Sequence, residues 1–122
     1  MSDTLLIDNF ESIFEAILLI EERFANIRSV DDFVLSSQGV TILDSIAMRL
    51  QVIGELVKKI EKRDVAYFEK YPDTEWAMIA RLRDIISHHY DVIDHEIIYD
   101  ICKNHIPALK DTVSAILDTR IS

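Results

Sequence analysis

An all-α fold is predicted for this chain on three grounds. Two glycines and two prolines among 122 residues leave little turn chemistry for a sheet. Hydrophobic residues make up 49% of the chain, enough for one core. Those residues recur at steps of three and four through long stretches, the spacing that lines one side of a helix. The expected architecture is an antiparallel bundle of about four to five main helices, folded as a single domain over residues 1–122.

The first helix is expected over residues 4–25. Leu6, Phe10, Ile13, Ile17, Ile20 and Phe24 form its stripe, and Leu5, Phe14 and Leu18 widen it, so cover on more than one side is expected. Asp3 or Thr4 can cap it, and Asp8 and Glu11 suit the positive end of its dipole. Ser29-Val30-Asp31-Asp32 opens a short helical turn carrying Phe33, Val34 and Leu35. Ser29 and Asp32 have the spacing of a capping box, with Asp in the acid position. Ser36-Ser37-Gln38-Gly39 then reads as a break.

The second long helix, residues 40–63, places Ile42, Ile46, Arg49, Ile53, Leu56 and Ile60 on one stripe, with Leu43, Leu50 and Val57 beside it. Arg49 is the polar exception and reads as a side chain snorkelling from a flank. Gly54 costs roughly 1 kcal/mol against Ala in a helix interior, a cost that close approach of another backbone would offset. Tyr67, Phe68, Tyr71 and Pro72 lead to a third helix, capped by Asp73 or Thr74 and anchored by Trp76, with Ile79, Ala80, Leu82 and Ile86 facing in. Asp91-Val92-Ile93-Asp94 is a short connection. Asp94 caps a last helix whose stripe is Ile97, Ile98, Ile101, His105, Leu109, Val113 and Ile116. Pro107 interrupts that pattern, so a kink or split is expected near Asn104.

Composition narrows the function classes. The stretch MSDTLLIDNF has no basic n-region and does not read as a signal peptide. Charges interrupt the apolar runs before a membrane span is reached, so no membrane helix is expected. Cys102 stands alone and cannot form an internal disulfide, which fits a reducing, cytoplasmic compartment. A net charge of −9 works against nucleic-acid binding and suits a partner with a basic face. Within that acidic total, however, Lys58, Lys59, Lys62 and Arg63 cluster and could line a local basic cleft.

The chemistry concentrates in Arg81-Leu82-Arg83-Asp84-Ile85-Ile86-Ser87-His88-His89-Tyr90. Arginine offers a planar fork of donors that fits a phosphate. Histidine gains and loses a proton near neutral pH. Tyrosine supplies a hydroxyl that donates, accepts or is modified. An arginine to hold phosphate and a histidine to move a proton are the minimum kit for metal-free RNA cleavage, and Arg83 and His88 are the pair spaced to supply it. Five residues at about 100° each put Arg83 and His88 about 140° apart on an unbroken helix. Acting together requires a helix break, or a second copy of the site across a two-fold axis.

Three blocks in order, Val52-Ile53-Gly54-Glu55, then Tyr71-Pro72 followed by Trp76, then Arg83-Asp84-Ile85-Ile86-Ser87-His88-His89-Tyr90, carry a family resemblance over roughly residues 5–118. The chain resembles the HepT-like branch of the HEPN superfamily, the toxin half of HEPN/MNT toxin–antitoxin pairs (type VII systems). That resemblance implies an all-α bundle dimerising through the motif helices. It implies an endoribonuclease that needs neither metal nor cofactor and acts on tRNA, mRNA or a narrower RNA. Arg83 and His88 from each subunit would line a composite cleft, with Asp84 orienting Arg83 or the RNA. Tyr90 matches the tyrosine that the cognate minimal nucleotidyltransferase (MNT) antitoxin modifies with AMP. His89 departs from the acidic residue often found between the motif histidine and tyrosine, and adds a second proton carrier.

Each of these residues also has a plainer role. Arg83 can form a surface salt bridge with Asp84 or Glu75. His88 and His89 can sit at a helix C-terminus favoured by its dipole, and Tyr90 can be a half-buried aromatic. A non-catalytic HEPN module that binds nucleotides or a protein partner is the alternative function, and the acidic composition favours it. A metal site from His88, His89, Asp91, Asp94, His95 and Glu96 ranks lower, because no HExxH or paired Glu-x-x-His spacing is present and capping explains the acids. His95 and His105 read as helix-surface residues, and Cys102 reads as a small core residue.

Overall fold

A computed structural model describes residues 3–89 and 92–121, with the backbone alone at 3, 88, 89, 120 and 121. The chain forms an all-α bundle. Its helices are α1 (Asp3–Phe24), α2 (Ser37–Arg63), α3 (Trp76–Ala80), α4 (Leu82–Ile86), α5 (His95–Asn104) and α6 (Ile106–Ile121). Short 3-10 helices, Val30–Phe33 and Val65–Lys70, flank α2. Among the described residues, no helix is long and apolar enough to cross a membrane.

The core follows from the stripes. Leu6, Phe10, Ile13, Ile17 and Ile20 of α1 are buried against α2 and α6, and Ile46, Leu50, Ile53, Val57 and Ile60 of α2 answer them. Each large side chain so buried contributes about 1.5–3 kcal/mol. Arg49 is partly buried on the flank of α2, as its place on the stripe requires.

Aromatic rings close both ends of the bundle. At one end Phe10 meets Tyr67 and Phe68, and Phe68 stacks on Trp76 with centroids 4.1 Å apart. The Trp76 indole N–H donates to the Tyr71 carbonyl at 3.0 Å, which fixes the entry to α3. At the other end Phe24, Phe33 and Tyr99 pack edge to face or tilted.

The glycines set close contacts. A Cβ on Gly39 would overlap the Asp32 carbonyl oxygen, so only glycine lets the first 3-10 helix lie on the start of α2. This revises the expected break at Ser36–Gly39. The Ser36 hydroxyl accepts from the Gly39 N–H at 2.9 Å, and the helix begins at Ser37. A Cβ on Gly54 would lie 3.0 Å from the Ile79 carbonyl oxygen and 3.6 Å from the Leu82 Cβ. The close backbone approach expected there is present, and it is α3 and α4 that approach.

Two further boundaries differ from expectation. Neither Asp73 nor Thr74 caps α3: the N-cap position falls on Glu75, which makes no side-chain cap, and the Thr74 hydroxyl instead pairs with that of Thr112 at 3.0 Å. The third helix is also not continuous. It breaks at Arg81 and ends at Ile86. Pro107 does split the last helix, with His105 between α5 and α6.

Candidate functional site

The motif rides on α4 and the strand that follows it. Ser87 leaves the helix in an extended conformation, φ −121° and ψ 123°. The chain continues as β1 (Ser87–His89), which pairs antiparallel with β2 (Val92–Ile93) in the register Ser87–Ile93 and His89–Val92. This small ladder is held at its base. The Asp94 N–H donates to the Ile86 carbonyl at 2.7 Å, and the Asp94 carboxylate accepts from the Ile97 N–H at 3.0 Å, capping α5. Ile86 and Ile98, both fully buried, anchor the helix ends that this bond joins.

Arg83 therefore sits on a helix and His88 on an extended strand. The angular separation that an unbroken helix would impose does not apply to them. Arg83 and Asp84 are exposed on α4. Among the described residues neither makes an ion pair, and Glu75 is turned instead toward His105. The surface salt bridge that offered the plainer account of Arg83 is thus not formed, which leaves its fork of donors open to solvent. The side chains of His88 and His89, and the whole of Tyr90 and Asp91, lie outside the described residues.

Arg81 opens the central stretch, but the sequence alone gives it no role. It occupies the break itself, exposed. Its N–H donates to the Met78 carbonyl at 3.0 Å, and its carbonyl accepts from the Asp84 and Ile85 N–H groups at 3.0 and 3.1 Å. A Cβ on Gly54 would lie 3.0 and 3.8 Å from the Ile79 and Ala80 carbonyl oxygens, so the bare glycine lets α2 lie close against the turn just ahead of Arg81. The available signal was a glycine in a long helix paired with two arginines flanking an inward leucine.

His105 lies at the surface between α5 and α6, its side chain 34% exposed. It is half-buried between two carboxylates, with Nδ1 3.4 Å from Glu75 and Nε2 3.5 Å from Asp100. It borders a cavity of about 300 Å³ that includes Ile79, Leu82, Ile101 and Leu109 and excludes Arg83 and Asp84. Cys102 is buried, and burial pushes its thiol up to about 12, which makes it unfit as a nucleophile. Among the described residues no cluster of three or more His, Cys, Asp or Glu side chains has the arrangement of a metal site.

The family model described as Ribonuclease HepT-like matches residues 7–116. A protein of Methanocaldococcus jannaschii named "Putative RNase MJ0127" is 37% identical over 69% of this chain and 64% of its own length. A second from that organism, "Gamma-glutamylcyclotransferase and putative RNase MJ0434", is 31% identical over 87% of this chain and 45% of its own length. The chain thus spans less than two thirds of either relative. "Probable ribonuclease HepT" of Thermococcus cleftensis is 32% identical over 84% of this chain and 87% of its own length. No solved structure gives a significant match.

Proposed function

Because the chain belongs to the HepT-like ribonuclease family of the HEPN superfamily, we propose that residues 1–122 form one HEPN-like domain that acts as a toxin, cleaving RNA as a homodimer in the cytoplasm. The helix break at Ser87 carries this reading. It frees His88 from the helix that holds Arg83, so an acid–base residue and a phosphate clamp can face one scissile linkage.

The chemistry needs no metal on this reading. One His88 removes the proton from the ribose 2′-hydroxyl, and the 2′-oxygen attacks the adjacent phosphorus in line. Arg83 donates to the non-bridging oxygens as charge builds on the phosphorane-like transition state. The His88 of the second copy returns a proton to the departing 5′-oxygen. The products are a 2′,3′-cyclic phosphate and a 5′-hydroxyl. Asp84 orients Arg83 or the RNA, and His89 can stand in as proton carrier. Tyr90 accepts AMP from a minimal nucleotidyltransferase antitoxin, and the added bulk and negative phosphate block RNA entry.

The test is cleavage of total tRNA and mRNA by the purified chain in the presence of EDTA. Arg83→Ala and His88→Ala are expected to abolish cleavage while shifting the thermal midpoint by no more than a few degrees, since Arg83 is exposed and unpaired among the described residues. Tyr90→Phe is expected to cleave normally and to resist adenylylation by the nucleotidyltransferase. The net charge of −9 favours a second reading, a non-catalytic module that binds nucleotides or a protein partner. A purified dimer that leaves all RNA intact yet binds the nucleotidyltransferase selects that reading.

A further inference from the structure

The outer face of the C-terminal half of α2 concentrates positive charge that the reaction above does not use. Lys58, Lys59, Lys62 and Arg63 are all exposed. With Gly54 as the origin and about 100° per residue, Lys58 lies near 40°, Lys62 near 80°, Lys59 near 140° and Arg63 near 180°. Glu61 falls near −20°, half-buried on the packed side and out of this arc. Glu55 is the one acid within the arc, and Lys58 meets it at 3.5 Å with both side chains about half exposed, a weak pair. Among the described residues, Lys59, Lys62, Arg63 and Arg81 make no ion pair.

The helix dipole accounts for only part of this cluster. Lys62 and Arg63 occupy the last turn of α2, where cations are favoured. Lys58 and Lys59 lie further in, where that effect has faded. The arc also borders the motif. Gly54 touches the carbonyls just ahead of Arg81, and Lys58 stands one turn along from Gly54 on the same side. Meanwhile Glu11, Glu15 and Glu22 are exposed on α1. The acidic total therefore conceals a chain with a basic edge.

Building on the ribonuclease reading, we propose that this edge, Lys58, Lys59, Lys62 and Arg63 with Arg81 at its inner end, binds the phosphate backbone of single-stranded RNA and leads it to Arg83. Such contacts fix position rather than sequence, since they reach phosphates and no base edges. They would let an acidic protein hold a polyanion through one local surface.

The experiment is binding of a fluorescein-labelled single-stranded RNA to the full-length His88→Ala chain across a salt series, with cleavage by the chain retaining His88 measured alongside. Neutralising the four α2 cations together, Lys58→Gln, Lys59→Gln, Lys62→Gln and Arg63→Gln, should lower the slope of log affinity against log salt by about 3, at roughly 0.7 per phosphate contact. Affinity at moderate salt should fall about tenfold or more. Arg81→Gln alone should lower the slope by about 0.7. Replacement of the three lysines by arginine should preserve binding, and Glu11→Gln with Glu15→Gln should not weaken it. Circular dichroism verifies folding, which these exposed positions tolerate.

An unchanged slope in both neutralised variants overturns the proposal, as does failure of the parent chain to bind RNA even at low salt. Competition by poly-glutamate as effective as that of RNA assigns the edge to acidic protein and overturns it too. Salt-sensitive binding lost with the α2 cations, from a chain that cleaves nothing, upholds the edge and removes the nuclease reading instead. Cleavage that survives all five neutralisations at full efficiency upholds the nuclease and removes the edge.

Discussion

Gly54→Ala tests how the motif is positioned, and the structure gives both terms. In the interior of a 27-residue helix, alanine gains about 1 kcal/mol over glycine in intrinsic propensity. Against that, the new Cβ would sit 3.0 Å from the Ile79 carbonyl oxygen, 3.6 Å from the Leu82 Cβ and 3.8 Å from the Ala80 carbonyl oxygen. The last two are ordinary contacts. The first requires a backbone atom to retreat by a few tenths of an ångström, and that atom belongs to the last turn before Arg81. Overpacking of this kind costs about 1–3 kcal/mol. The net expectation is a loss of about 0–2 kcal/mol, or a midpoint lowered by up to roughly 8 °C for a chain of this size.

The functional effect should be separable from the stability effect. The carbonyl that must move lies in the turn that leads to Arg81 and Arg83; a full ångström of misplacement at a reacting group costs about a hundredfold in rate, and a few tenths passed on to the proposed phosphate clamp should cost a smaller factor. Urea unfolding and RNA cleavage, measured on the same preparation, read the two terms separately. Gly54→Val should lose more of both, because a branched side chain adds bulk toward the same carbonyl. A Gly54→Ala chain that is more stable by the full propensity gain and cleaves normally would refute the contact as a positioning device.

Two predictions concern pH. Asp32 accepts N–H bonds from Arg28 and Ser29 at 2.8 and 3.2 Å, and these hold its carboxyl below the usual carboxylate range. Its stabilising effect is therefore present above the unfolded value and is lost as pH falls through the folded one; Asp32→Asn should flatten the acid-side loss of stability as pH falls through the usual carboxylate range and below it, and parallel curves for the two chains would count against it. Cys102 is shifted the other way, with a folded value of about 12 against an ordinary 9.0. As pH rises past 9 the unfolded chain releases a proton that the folded chain retains, so stability should fall there, and Cys102→Ala should remove that dependence. In the native protein at mildly alkaline pH a thiol reagent should react with Cys102 only as fast as the chain opens; immediate labelling would show an accessible thiol.

The sequence revealed what depends on neighbours along the chain. The α1 and α2 stripes, the Asp94 cap and the split at Pro107 are all local in origin, set by helical period, an oxygen in reach of an N–H, or a ring without one. It could not reveal what depends on contacts across the fold. Nothing in Ser36–Gly39 tells that Gly39 must admit the Asp32 carbonyl and stay helical, so the segment reads as a break. Arg81 is a good helix former with no Pro or Gly beside it, yet the helix stops there. Ile86 and Ser87 likewise gave no stop signal; the bond from the Asp94 N–H to the Ile86 carbonyl joins residues that the sequence leaves eight apart. The pairing of His105 with Glu75 depends on α3 meeting the α5–α6 junction, which no periodicity encodes.

The helix α2 thus has two separable parts in the proposed chemistry. Through Gly54 it meets the turn that carries Arg81 and Arg83, and through its outer edge it offers the cations proposed to hold RNA. Perturbing the first should change the geometry at the reacting phosphate, an interaction made fully only in the transition state, and so lower kcat with little change in KM. Neutralising the second removes binding that substrate and transition state share, and so should raise KM with kcat preserved. If one helix served merely as scaffold, the Gly54 and lysine variants would lose activity only in proportion to lost folding. A kcat loss in the Gly54 variant and a KM rise in the lysine variants, in equally folded proteins, are the outcomes expected when the contact and the charge act at different stages of the same encounter.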